Sequence, residues 1–253
     1  MNVIKPIWPA PASIHALVTI RQGGVSSLPY DTLNLGDHVG DDPARVIANR
    51  QLLRKHLPAE PIWLKQTHSI QVSTPASRSQ FSSKPYEADA AVTNIPDEVL
   101  AIMTADCLPV LLSNADGTVI GAAHAGWRGL CEGVLENTVS EMLKLSHPSS
   151  TGDFIAWMGP AIGPESFEVG EDVVGRFQEC GLHDMKHCFL PIANKPGKYL
   201  ANLYQLARDR LKRAGVSSTF GGDLCTVLDR EQFFSYRRDG VTGRFASLIW
   251  ISP

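Results

Sequence analysis

No stretch of the 253-residue chain holds the roughly 18 to 20 consecutive apolar residues of a membrane-spanning helix. The opening Asn2-Val3-Ile4-Lys5-Pro6-Ile7-Trp8-Pro9 is too broken by proline to form a signal-peptide core, so a cytoplasmic protein without a membrane partner is expected. An excess of one charge sign is also lacking. The 23 basic and 26 acidic residues leave a net of -3, whereas nucleic-acid affinity is largely phosphate neutralisation and needs a basic face. That excludes a general nucleic-acid binder but leaves room for a small basic pocket. The five cysteines, Cys107, Cys131, Cys180, Cys188 and Cys225, are odd in number and never spaced C-x-x-C, so neither a disulfide framework nor a zinc ribbon is indicated. No G-x-G-x-x-G or G-x-x-x-x-G-K-[ST] segment follows a strand, which removes the dinucleotide and P-loop readings.

What is present is a globular composition. Residues of the AVILMFWYC set make up 43% and charged residues 19%, and a chain of this size buries about 70% or more of its unfolded surface. Without a repeat, a low-complexity tract or a linker, residues 1–253 are expected to form a single domain. Ile14 to Ile20 alternates like a half-buried strand. Asp42-Pro43 supplies an N-cap and first-turn proline to a helix that turns Val46, Leu53 and Leu57 inward. Between them, Gly23-Gly24, Pro29, Asn34, Gly36 and Gly40 demand a shaped loop. Ala88 to Thr93, Val99 to Thr104, Leu108 to Ser113 and Thr118 to Ala123 read as consecutive strands. Leu130, Val134, Leu135, Val139 and Met142 then recur at helical spacing, ending before Pro148. Phe154 to Met158 and Ala246 to Ile251 read as further strands and about Tyr199 to Ala214 as a helix stopped by Gly215, with Thr74 to Lys84 as a surface loop. Strand runs interspersed with a few helices suggest mixed α and β layers.

Metal-ligand side chains occur where expected strands end: His68 after Ile62 to Gln66, Cys107 after Met103 to Asp106, and His124 after Ile120 to Ala123. Separations of 39 and 17 residues do not by themselves demand a metal. If folding brings the three together, two imidazoles and a thiolate leave a fourth position open, as in catalytic zinc. The alternative is two hydrogen-bonded histidines near a sheet edge and a buried, inert thiol. His124-Ala125-Gly126-Trp127-Arg128-Gly129 leads into a helix whose free amides and Arg128 guanidinium could receive an anion, although such an arginine can equally be a solvated charge. His183 and His187 share the i, i+4 spacing of a helix-face pair but lack the glutamate of H-E-x-x-H, and read as a polar turn before Phe189.

Arg21-Gln22-Gly23-Gly24-Val25-Ser26, Leu33-Asn34-Leu35-Gly36 with His38-Val39-Gly40-Asp41-Asp42, Gln66-Thr67-His68, Thr104 to Val110, His124 to Gly129, and Phe234-Ser235-Tyr236-Arg237-Arg238 with Thr242-Gly243-Arg244 run in order along nearly the whole chain. Together they resemble the laccase-domain family, also described as polyphenol oxidase-like, purine nucleoside phosphorylase-like or peptidoglycan editing factor. The resemblance implies an α+β, four-layer αββα sandwich with helices outside two mixed sheets, of a cysteine-hydrolase type. It also implies a zinc ion on His68, Cys107 and His124; copper is a possible substitute because Cu²⁺ outcompetes Zn²⁺ at most nitrogen and sulfur sites. The implied activities are phosphorolysis of adenosine, inosine, guanosine and methylthioadenosine, and adenosine deamination. For some bacterial members they are instead removal of misincorporated L-Ser from a UDP-MurNAc cell-wall precursor. The partners are then small molecules, a purine nucleoside with phosphate or that precursor.

Each chemistry sets its own demands. Deamination needs a nucleophilic hydroxide and a proton donor. The H-x-E and P-C-x-x-C signatures of zinc deaminases are missing, which leaves Asp106, beside Cys107, as the candidate acid. Phosphorolysis needs phosphate beside the ribose C1′ and stabilisation of the leaving purine, for which Arg21, Asn34, His38, Gln66 and Arg128 are the candidate substrate-binding residues; loop shaping is the competing role for most of them. A metal-free alternative pairs Cys107 with His124 for attack on an amide or ester. Copper oxidase chemistry ranks third, because the 8 histidines include no His-X-His pair and no blue-copper loop is present.

Overall fold

The computed structural model describes residues 2–80, 85–147, 152–182, 185–216 and 218–253. In chain order the first half contains β1 (Val3–Ile4), β2 (Ile14–Thr19), α1 (Pro43–Arg54), β3 (Leu64–Lys65), β4 (Val72–Ser73), α2 (Pro75–Gln80), β5 (Tyr86–Glu87), β6 (Ala90–Thr93), β7 (Leu100–Thr104), β8 (Leu108–Asn114) and β9 (Ile120–Ala125). It continues with α3 (Trp127–Glu132), α4 (Val134–Leu145), β10 (Phe154–Met158), β11 (Glu168–Gly170), α5 (Glu171–Glu179), β12 (Phe189–Pro191), β13 (Lys198–Ala201), α6 (Leu203–Arg213), β14 (Ser218–Gly221), α7 (Tyr236–Asp239) and β15 (Phe245–Ile251).

Two sheets face each other. The first runs β1-β2-β15-β7, antiparallel among its strands, with a parallel bridge from Ile62 to Leu100. The second runs β14-β10-β8-β9-β6-β4, with parallel pairs at both ends and antiparallel pairs between. Side-chain alternation sorts each strand between layers. On β7, Leu100 and Ile102 point into the core between the sheets and Ala101 and Met103 point out; on β15, Phe245 and Ile249 point in and Ala246 and Leu248 out. On β8, β9 and β10, Leu111, Ile120, Ala122 and Trp157 meet that same core. Leu108, Val110, Leu112, Ala123, Phe154 and Ala156 pack the other way, in one cluster with residues of α3, α4, α5 and α6. The outer face of the first sheet shares its core with Leu53 of α1 and with Leu33, Leu35 and Leu57. The result is the four-layer αββα arrangement, with helices outside two sheets. Burial on both faces explains why the central strands read as near-continuous apolar runs.

The local signals act as the sequence implies at α1, where Asp42 accepts the Ala44 N–H at 2.9 Å and Pro43 opens the helix. Three expectations are corrected. The helix expected through Leu130 and Met142 is two helices, because Gly133 takes φ 105° and closes α3 with a bond to Gly129 O. Only glycine enters that left-handed region at no steric cost. Tyr199 lies in a strand, paired with Val169 and Pro191, and α6 starts only after Asn202, whose side chain accepts the Gln205 N–H. The described part of the Thr74 to Lys84 loop contains α2, capped reciprocally by Thr74 and Ser77. Residues 81–84, Pro148, and His183 with Asp184 fall outside the described residues. Among the described residues no helix is long and apolar enough to cross a membrane.

Candidate metal centre

Cys107 lies where the chain leaves β7 of the first sheet and enters β8 of the second. The reversal is tight, and Asp106 adopts φ 97°, a strained conformation for a residue with a side chain. It is held there from both ends: its carboxylate accepts Thr226 Oγ1 and Arg237 N–H, each at 2.6 Å, and its carbonyl accepts Ile162 N–H at 2.8 Å. Asp106, the candidate acid, thus has both carboxylate oxygens engaged in fixing the turn that presents Cys107.

His68 follows β3 in a second left-handed conformation, φ 62°. That conformation folds the backbone into a concave nest of amides, and Asp89 fills it. The carboxylate, wholly buried, accepts the N–H groups of Thr67 at 3.1 Å, His68 at 2.9 Å and Ser69 at 2.6 Å, and the Ser69 hydroxyl at 2.7 Å. It also accepts Nδ1–H of His124 at 2.7 Å, while the Asp89 carbonyl accepts the His124 backbone N–H. One carboxylate therefore fixes the backbone turn that carries His68 and, by accepting Nδ1–H, turns Nε2 of His124 away from itself. His124 is an internal residue of β9, opposite Pro109, and not at the strand's end as the sequence implied. Asp89 is not singled out in the sequence because it falls inside the apolar strand expected from Ala88 to Thr93, whereas in the structure β6 begins only at Ala90.

The three donors converge. Their ligand atoms all lie within 4.8 Å of one another; Cys107 Sγ is 3.8 Å from His68 Nε2, and the imidazoles meet edge to face with centroids 4.9 Å apart. Tetrahedral zinc, with bonds of about 2.0 to 2.3 Å, sets its ligand atoms about 3.3 to 3.7 Å apart. Gly126 keeps the space between them open: a Cβ there would sit 3.0 Å from His68 Cδ2, 3.1 Å from Cys107 Sγ and 3.6 Å from His124 Cε1. Its own φ of -59° is ordinary, so close approach alone, and not backbone conformation, calls for glycine. His68 is exposed, Cys107 partly so, and His124 buried, which leaves the open side toward solvent. A thiolate and two imidazoles form a borderline-soft set suited to zinc or copper.

The metal-free protonation states are themselves polarised. Burial would raise the Cys107 thiol, but the charge and hydrogen bonding of His124, with help from His68, bring it down to about 6. Burial would lower His124, but the Cys107 thiolate and Asp89 raise it to about 9. Burial likewise opposes Asp89, yet His124 and Ser69 hold it at about 2.

The remaining candidates are placed as follows. Gln66 donates Nε2–H to Met103 O at 2.8 Å and accepts Met103 N–H at 2.9 Å, tying the His68 loop to β7. Asn34 is buried, with its amide spent on Gly36, Asp41 and Arg244 N–H. Arg21 clamps Asp31 and Arg230 O and covers Phe234. It lines a cavity of about 520 Å³ whose lining includes none of the three donors. His38 is exposed beside Asp37, and Arg128 lies exposed over Trp127 in a helix of 6 residues. Arg244, not singled out from sequence as a site residue, has its pKa lowered by burial against the opposing fields of Cys107, Asp106, Tyr236 and Tyr30, which places a cation within electrostatic reach of the centre.

The family described as multi-copper polyphenol oxidoreductase laccase matches residues 15–252. The chain is 50% identical over 252 residues to a Haemophilus influenzae protein named purine nucleoside phosphorylase, covering 99% of each. It is 48% identical over 255 residues to the Escherichia coli purine nucleoside phosphorylase YfiH, again covering 99% of each. Among solved structures, the Neisseria meningitidis protein NMB0706 matches with TM-score 0.90 at 46% identity, with 100% of both chains covered.

Proposed function

The chain belongs to the multi-copper polyphenol oxidoreductase laccase family, and from that membership we propose that it is a zinc-dependent purine nucleoside enzyme, with copper able to take the same place. Its reactions are phosphorolysis of adenosine, inosine, guanosine and methylthioadenosine, and deamination of adenosine. The names of relatives at 46 to 50% identity support an enzyme acting on purine nucleosides. The observation that carries the metal is the convergence of the His68, Cys107 and His124 donors around a space kept clear by Gly126, with Asp89 holding the His124 ring and the backbone that carries His68.

An ion held by His68, Cys107 and His124 would supply Lewis acidity at a position left free for reactants. The chain's own residues do the rest. Asp89 keeps the Nδ1 proton on His124 and so leaves Nε2 free to act as a ligand. Arg244 brings positive charge suited to the anion of phosphorolysis. Asp106 holds the thiol in place through Thr226 and the Arg237 amide. Deamination must draw its proton carrier from outside the Asp106 clamp or release that carboxylate. A small-molecule substrate and cysteines without disulfides suit a cytoplasmic setting.

A second reading has its own observation. Without metal, Cys107, His124 and Asp89 form a thiolate, imidazolium and carboxylate relay, the arrangement of a cysteine hydrolase, and this would suit removal of L-Ser from a cell-wall precursor. Incubating purified protein with adenosine, with and without phosphate, alongside metal analysis separates the two. Ribose 1-phosphate or inosine from zinc-loaded protein, lost on chelation, supports the nucleoside reading. Inertness toward every nucleoside, with iodoacetamide-sensitive hydrolysis by metal-free protein, supports the second. Copper polyphenol oxidation has the weakest support: the 8 histidines include no His-X-His pair, and no blue-copper loop accompanies the thiolate and two imidazoles.

A further inference from the structure

A second group of metal-ligating side chains lies in the outer helical layer and shares no residue with the centre above. His187 and Cys188 occupy the turn before β12, and Asp209 projects from α6. Oδ2 of Asp209 is 3.1 Å from His187 Nε2 and 3.5 Å from Cys188 Sγ, and the three ligand atoms all lie within 4.8 Å of one another. Those separations are near the roughly 3.3 to 3.7 Å edges of a tetrahedral zinc site. The other carboxylate oxygen is held by Gln205, one helical turn earlier, at 3.0 Å, which turns Oδ2 toward the thiol and imidazole in the manner of an outer-shell partner. The turn is fixed on both sides, Cys188 N–H donating to Met185 O and its carbonyl accepting Asn202 N–H, each at 2.8 Å. Cys188 is buried and His187 exposed, so protein closes the sulfur side and water can reach the fourth position.

We propose that His187, Cys188 and Asp209 form a second divalent-metal site, selective for zinc over magnesium or calcium because of its thiolate and imidazole donors. On binding, Cys188 releases its proton to solvent and the ion takes its place on sulfur, while His187 binds through Nε2 and Asp209 through Oδ2. The site staples the turn that leads into β12 to α6. This inference does not depend on the nucleoside reading.

Cobalt(II) reports thiolate ligation directly. In a His68→Ala, Cys107→Ser background, which disables the first centre, the folded protein should bind one equivalent of cobalt with sulfur-to-cobalt charge-transfer absorption. Asp209→Asn, isosteric and on a helix surface, and His187→Ala should each weaken that binding by at least about tenfold. Absence of the absorption overturns the site, as does absorption that survives both substitutions, which would place cobalt on Cys131, Cys180 or Cys225. Should the background fail to fold, zinc stoichiometry of the unsubstituted chain decides instead. A loss of one equivalent in Asp209→Asn supports the site, and no loss overturns it.

Discussion

At the scale of single residues, Asp89 is the group on which the centre depends. It accepts three consecutive backbone amides, a hydroxyl and an imidazole N–H, so no neutral amide can replace it: Asp89→Asn turns one acceptor oxygen into a donor facing other donors. We expect zinc affinity to fall about 10- to 100-fold and unfolding to become easier by about 3 to 5 kcal/mol, read by competition with a chelator and by urea titration. The sign of its pH linkage is set by a depressed pKa. Its contribution is present above the ordinary carboxylate value of 3.8 and is lost as pH falls toward about 2, so the substituted protein should show a flatter loss of stability over that interval. Cys107 offers a separate check. With its thiol brought to about 6, metal-free protein should be alkylated by iodoacetamide at half its maximal rate near pH 6, whereas a midpoint near the ordinary 9.0 would show that His124 does not stabilise the thiolate.

At the scale of elements, the legible parts were those with strong local chemistry. Asp42-Pro43 announced α1, and the apolar strands β6 to β10 announced themselves by composition. The parts that escaped are short or depend on partners: β4 and β5 have two residues each, too few for a period to show. Gly133 was hidden inside a continuous helical stripe, because the apolar spacing of Leu130, Val134 and Leu135 persists across the break. Gly133→Ala should cost about 1 to 2 kcal/mol, since φ 105° is strained for any side chain. A Cβ there would also meet Arg210 Nη2 at 3.2 Å. A thermal melt checks this, and an unchanged midpoint would mean that α3 and α4 can fuse as the sequence pattern alone suggested.

At the scale of the whole molecule, the αββα layering was legible through resemblance and is explained by the alternation of Leu100, Ile102, Phe245 and Ile249 against Ala101, Met103, Ala246 and Leu248. The convergence of the centre was not legible in physical terms. Residues separated by 39 and 17 positions meet only because β7 and β8 belong to different sheets and β9 returns beside β8. His68, Cys107 and His124 could be picked out by type, but the carboxylate that aims His124 and anchors the His68 turn and the glycine that spares room for the donors could not. Phe245→Ala, deep between the sheets and paired with Thr104, should cost about 3 to 5 kcal/mol and should also weaken zinc binding, measured separately by denaturation and chelator competition.

That last expectation follows from where Cys107 is mounted. The sulfur hangs from the strap that passes between two slabs, whereas both imidazoles belong to the side of the second slab and its Asp89 anchor. The gap between slabs is therefore also the jaw opening of the grip. Interior substitutions that let it widen or narrow would be read as changes in ion retention long before they touched any group that meets a reactant.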